Sequence, residues 1–368
     1  MKLSAILFAI FLLLNLPKLA LSNTDSELLP FPESPIKYSQ TRTDYDRESV
    51  TGLTPYKGPI IDTHAHYDAG QIDQAEFDKF DKLFESNNIK YAFFMPVPNE
   101  GLYLKGRKKG NDFGEYERSL LLKASNRIKT LCSSNYISNW LHDSYNDGRD
   151  STLDSRLERL QRDIDSGNCI GIGEVSNYHF NKSPSHKRPQ HIISYPLNFK
   201  PLHKFIDVIV ENNTWLVLHI EPVTRGGESY EEQYFSGLEL LFQKHPNLKL
   251  ILAHTGMTNP ENVEKILRQY PNVMMSLKLI KKPSKRWINI ESINNNDFEV
   301  FNDWAMLVGK LPERFLIDSD AKFGRKGRKN FGRYEELIEN FRNFLGSLSP
   351  ESARLVAYEN AERLWNLK

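Results

Sequence analysis

Ile60-Ile61-Asp62-Thr63-His64-Ala65-His66 decides how this chain is read. Two β-branched residues lead into a carboxylate and then two histidines, two positions apart. Alternate side chains of a strand share one face, so a strand here aims His64 and His66 the same way. Working outward, the same form recurs: a short apolar run that ends in imidazole or carboxylate. The runs cover 59–66, 91–97, 128–137, 169–175, 215–221, 248–254, 273–279 and 314–320. Each is rich in β-branched or aromatic residues and has the length of a buried parallel strand. Helical spacing fills the intervals, at 72–87, 153–165, 202–210, 238–242, 262–270, 300–308, 334–345 and 351–364. Strand then helix, eight times and without a long linker, predicts the α/β class and one (β/α)8 TIM barrel over 58–368. A doubly wound open sheet is the rival. Its dinucleotide loop has no support here, because Gly171-Ile172-Gly173 lies inside a strand, with no third glycine and no helix directly after it.

The residues before the barrel divide in two. Residues 1–22 carry Lys2, an apolar run over 5–16, and Ala20 and Ser22 placed three and one before a cut ahead of Asn23. That is the pattern of a secretory signal peptide. The run is shorter than the roughly 20 residues that span a bilayer. The chain is therefore expected to be exported, periplasmic or secreted, with no membrane span once the signal is removed. Residues 23–57 are rich in Pro, Ser, Thr, Asp and Tyr and read as an extended leader.

Composition narrows the function. Of 368 residues, 48 are Lys or Arg and 47 are Asp or Glu, so global charge offers no argument for a nucleic-acid partner. With two cysteines, Cys132 and Cys169, no thiolate-built zinc or iron–sulfur site is possible. The two are read as free buried thiols, although neighbouring strands in an oxidising compartment would allow them to pair. The weight falls on histidine. Barrel chemistry sits at the C-terminal strand ends, and four of the ten histidines fall there: His64, His66, His219 and His254. Glu174, Asp318 and Asp320 join them. Imidazole with carboxylate is a ligand set for zinc and similar divalent ions. No G-x-S-x-G, HExxH or P-loop competes.

In order and spacing, IIDTHAH, GIGE at 171–174, LVLHIE at 216–221, LILAHTG at 250–256, RFLIDSD at 314–320 and the closing ENAERLW at 359–365 resemble the amidohydrolase superfamily, in its amidohydrolase-related branch of metal-dependent hydrolases. The resemblance spans about residues 58–368. It implies that His64, His66, His219 and Asp320 hold one divalent metal, zinc first and manganese or another ion as alternatives. His254 would ligate a second ion or polarise the substrate carbonyl. Asp318 replaces a glycine of the family pattern and is the second choice for the strand-eight ligand. Glu174 stands where two-metal members carry a bridging group, so one or two ions are open. The implied chemistry is hydrolysis of a C–O or C–N bond, in which Asp320 holds a water, takes its proton and passes it to the leaving group. Non-oxidative decarboxylation by the same shell is the alternative, and TatD-type phosphodiester cleavage a second one. A barrel that binds without turnover is the non-enzymatic reading.

The loops hint at the substrate. Basic stretches at 281–287 and 322–333, with Arg325 and Arg328, follow strands seven and eight, where many barrels bind phosphate. A small-molecule substrate is the expected partner; the basic loops read either as a site for its carboxylate or phosphate or as two solvated charge runs. Tyr178, His179, Arg225 and Lys278 are further candidates to line its pocket. Oligomeric state is left open.

Overall fold

The computed structural model describes residues 36–37, 48–50, 54–67, 74–96, 115–148, 151–180, 191–224, 228–280, 292–324 and 330–367. The signal-like stretch 1–22 and the basic stretch 281–287 lie outside the described residues, as do Arg225, Arg325 and Arg328. Among the described residues no helix is long and apolar enough to cross a membrane.

Eight parallel strands form the barrel: β1 (Ile60–Tyr67), β2 (Ile89–Met95), β3 (Ile128–Ser133), β4 (Gly171–Ser176), β5 (Trp215–His219), β6 (Lys249–Leu252), β7 (Val273–Lys278) and β8 (Phe315–Asp318). They pair in sequence order, and β8 returns to β1 through Ile317 and Asp62. A further short strand, Ala321–Phe323, then lies parallel to the end of β1. Helices cover the outside: α1 (Gln74–Ser86), α2 (Glu115–Ala124), α3 (Ser134–Asp147), α4 (Leu153–Asp165), α5 (Lys200–Glu211), α6 (Glu231–Lys244), α7 (Pro260–Gln269), α8 (Asn302–Lys310) and α9 (Asn330–Leu345). Their starts follow local chemistry. The Asn259 side chain accepts from Asn262 N at 2.9 Å ahead of α7, and Pro260 opens that helix, where a missing N–H costs nothing.

Two apolar cores result. The larger lies between the barrel and its helices. The smaller fills the barrel, with Ile61, Phe93, Leu131, Val217, Ile251, Met274 and Leu316 facing inward. A C-terminal segment, Asn360–Trp365, closes the N-terminal ends of the strands. Trp365 packs edge-on to Phe93 at 4.7 Å and donates from Nε1 to Ile170 O at 2.8 Å. Asn360 donates to Pro312 O and Phe315 O, and Lys90 pairs with Glu362.

Several expectations shift. The third run, 128–137, is strand only to Ser133. Ser133 takes φ 75°, and helix α3 begins at once. Tyr136, Ile137, Trp140 and Leu141 are buried at helical spacing, so the end of that run is a helix face. Helix α2 has no counterpart among the expected elements. Cys132 on β3 and Cys169 just before β4 are not free thiols but a disulfide, with Cα atoms 5.7 Å apart, because adjacent parallel strands bring them side by side. The described parts of the leader are docked: Ile36–Lys37 pairs with Glu228–Ser229, and Ser49–Val50 with Val300–Phe301.

Candidate metal centre

Polar residues gather where the strands end. On β7 and β8 the inward positions run Met274 to Ser276 and Leu316 to Asp318, so the apolar filling gives way to polar groups two residues later. β4 brings Glu174 inward by close approach. A Cβ on Gly173 would stand 2.6 Å from Val217 Cβ, so a side chain there would push β4 away from β5. After β6 the chain turns left-handed through His254, Thr255, Gly256 and Met257, at φ 52° to 65°. Non-glycine residues in that region cost of order 1–3 kcal/mol each. A Cβ on Gly256 would meet Tyr234 Oη at 2.6 Å. The turn is held by His254 N donating to Ser276 Oγ at 3.1 Å.

Around Glu174 the donor atoms converge in two groups. Its Oε2 lies 3.6 Å from His64 Nε2 and 3.4 Å from His66 Nε2. The two imidazole nitrogens are 3.2 Å apart, and Asp320 Oδ1 is 3.1 Å from His66 Nε2. Donors that share one tetrahedral ion at zinc–nitrogen distances stand about 3.3 Å from one another. His66 Nδ1 faces Pro96 O at 3.2 Å, which leaves Nε2 for the site. Among the described residues buried His64 Nδ1 has no hydrogen-bond partner, and Asp318 Oδ2 stands 3.5 Å off. On its other side, Glu174 Oε1 meets His219 Nδ1 at 2.7 Å and His254 Nε2 at 3.3 Å. His254 Nδ1 is fixed by Asp318 Oδ2 at 2.8 Å, which also receives Ser276 Oγ at 2.5 Å.

The electrostatics call for a cation. Burial opposes ionisation of Glu174, but His64 and His219 hold its carboxyl well below the usual range. Burial likewise opposes Asp320, and Lys278, 2.5 Å away, holds it well down. Asp318 and Glu221 are also held ionised by facing imidazoles against the cost of burial. Three buried carboxylates and the part-buried Asp320 thus share the mouth with the imidazoles and with Lys278, and Lys322 also acts on Asp320. Burial works to lower His64 and His219, yet the carboxylates, Asp318 on His64 and Glu174 on His219, push both up to about 9. Protons taken up by imidazole and a divalent ion are alternative sources of the same charge. Asp62, buried below and receiving Ser319 Oγ and N, is raised to about 6 by burial.

The structure therefore joins His64, His66, Glu174 and Asp320, with His254 next to them. His219 touches the cluster through Nδ1 on Glu174, while its Nε2 turns to His179 and Glu221. Asp318 is a buried support under His254 rather than the outer strand-eight carboxylate. Lys278 points inward. Tyr178 is buried and stacks on Tyr230 at 6.1 Å, in the outer core. Glu221, two residues past His219, had a signal in the strand-end pattern. Asp62 and Ser276 offered none beyond their place beside the ligands.

No family model matches the chain, and no curated protein matches it. Solved structures do. One is a candidate amidohydrolase from Staphylococcus aureus, 11% identical, matched over 84% of this chain and 100% of that one at a TM-score of 0.51. Another is an uncharacterized TIM-barrel protein from Bordetella bronchiseptica, 12% identical, matched over 84% and 99% at 0.50. At this identity the likeness establishes the barrel.

Proposed function

We propose that the chain is a metal-dependent hydrolase of the amidohydrolase superfamily, cleaving an ester, lactone or amide in a small anionic substrate. The observation that carries the reading is the spacing of His64 Nε2, His66 Nε2, Glu174 Oε2 and Asp320 Oδ1, at 3.1 to 3.6 Å between neighbours. These four would hold the ion, zinc first and manganese as the alternative. When bound it supplies a Lewis acid that brings the pKa of water from about 15.7 toward 7.

The chain's own residues supply the rest. Asp320 is the least buried of the four acceptors, with 16% of its side chain exposed, so it can hold a water at the mouth of the barrel. It takes the water's proton and returns it to the departing oxygen or nitrogen, which balances the hydrolysis. His254, oriented by Asp318, presents Nε2 to the centre, a position from which it contacts the substrate oxygen where charge develops. Burial works to lower Lys278, but Asp320 and Asp318 raise it, so its ammonium stays charged and offers a fixed partner to a substrate carboxylate or phosphate. Residues 1–22 are proposed to direct export, and the Cys132–Cys169 disulfide supports an oxidising destination.

The test is turnover of a panel of anionic lactones, esters and amides. Chelation should abolish it and zinc or manganese should restore it. Turnover that survives complete metal removal overturns the reading. Carbon dioxide release from an aromatic acid, without hydrolysis, would instead assign the shell to decarboxylation.

A further inference from the structure

His219 turns its second nitrogen away from Glu174 into a small triangle of donors. His219 Nε2 is 3.0 Å from His179 Nδ1 and 3.0 Å from Glu221 Oε1, and His179 Nδ1 is 2.9 Å from that same oxygen. The three sides are nearly equal. Three cis ligands of a six-coordinate ion with bonds near 2.1 Å stand about 3.0 Å apart.

Each member is held in place by something else. His219 ends β5, and Glu221 follows it two residues later in the chain. His179 comes from a separate two-residue strand, His179–Phe180, paired with His191–Ile193. Glu221 Oε2 receives Phe180 N at 2.9 Å, which leaves Oε1 for the imidazoles. His219 Nδ1 is fixed by Glu174 at 2.7 Å, the carboxylate–histidine arrangement that frees the far nitrogen for an ion. Without an ion, three inward-facing donors must share protons across a triangle. Two nitrogens and one oxygen suit zinc, manganese or ferrous iron and leave positions open for solvent or substrate.

We propose that His179, His219 and Glu221 form a second divalent-cation site, joined to the His64, His66 and Asp320 cluster through Glu174. Glu174 then serves both ions, as a ligand through Oε2 and as the support of His219 through Oε1. The proposal extends the hydrolase reading and rests on it for the first ion.

Metal content separates the two. After equilibration with Mn²⁺ and removal of free ion, the full chain should hold two ions. Glu221→Gln and His179→Ala should each hold one, and Asp320→Asn should keep the ion at the triangle. The wild-type electron paramagnetic resonance should show two coupled Mn²⁺ ions, and Glu221→Gln should show an uncoupled one. One ion in the wild type, retained in full by Glu221→Gln, overturns the second site and leaves the first. No ion at all overturns both. Anomalous difference density in Zn²⁺-equilibrated crystals of the unsubstituted protein decides the matter without any variant. A peak within the triangle supports the site, and a peak confined to the His64 cluster refutes it.

Discussion

The two ends of the barrel are built from opposite materials. At the N-terminal ends of the strands, Phe93, Trp215 and Trp365 pack into an apolar floor that the C-terminal segment closes. At the C-terminal ends, five imidazoles and four carboxylates crowd within a few ångströms, on a backbone with several left-handed residues. The floor hides no charge and needs no ligand. The mouth concentrates carboxylates whose charge is offset by facing imidazoles and by Lys278. Stability and chemistry are therefore set two residues apart on the same strands, as Leu316 and Asp318 show.

Substitutions can break that division. The largest effect is expected from Asp320→Asn, which should lower kcat/KM by about 10²–10⁴-fold. Its melting temperature without metal should fall, because the inward-pointing Lys278 ammonium loses the carboxylate that pairs with it at 2.5 Å; an unchanged melting temperature would mean the pair adds nothing to the fold. The mirror experiment is Trp365→Ala. It should cost about 3–5 kcal/mol in denaturant unfolding while leaving kcat unchanged below the transition. Reduction of the disulfide tests the wall between the ends. It closes a loop of sequence separation 37, so Cys169→Ser should cost about 2–4 kcal/mol without altering KM. The smallest effect concerns His203, whose Nδ1 faces His245 Nε2 at 2.8 Å on the outer wall. Burial and Lys244 push it down to about 4. The unfolded imidazole takes up a proton near pH 6.5 and the folded one only near 4, so stability falls as the pH drops through that window. Solvent screening keeps the loss at pH 6 to at most about 1 kcal/mol. His203→Gln should flatten this part of the stability profile.

How much of this was written in the sequence follows the same division. The barrel was legible because each strand is a short apolar run with its own length and flavour. His64, His66, Glu174, His254 and Asp320 were legible because imidazole or carboxylate ends those runs. The β3 to α3 boundary was not, since Tyr136 and Ile137 continue the apolar run after the backbone has turned. The partition of His219 was hidden as well. Which nitrogen meets Glu174 and which meets Glu221 depends on the neighbouring hairpin that carries His179, and no spacing within β5 encodes it. The disulfide needed the adjacency of two strands, which pattern alone leaves open.

The barrel closes where its chemistry is. β8 meets β1 at a single residue pair, and Ser319 then clasps Asp62 through Oγ at 2.7 Å and N at 3.1 Å, across 257 residues of chain. Asp320 N reaches His64 O at 2.9 Å in the same seam. The chain up to β7 contains His64, His66 and Glu174 but neither the clasp nor Asp320. In the proposed hydrolase the ligand set would therefore be complete only once the last strand docks. The ion would then come from the compartment in which the final strand docks, and that compartment's metal supply would bear on which ion is carried.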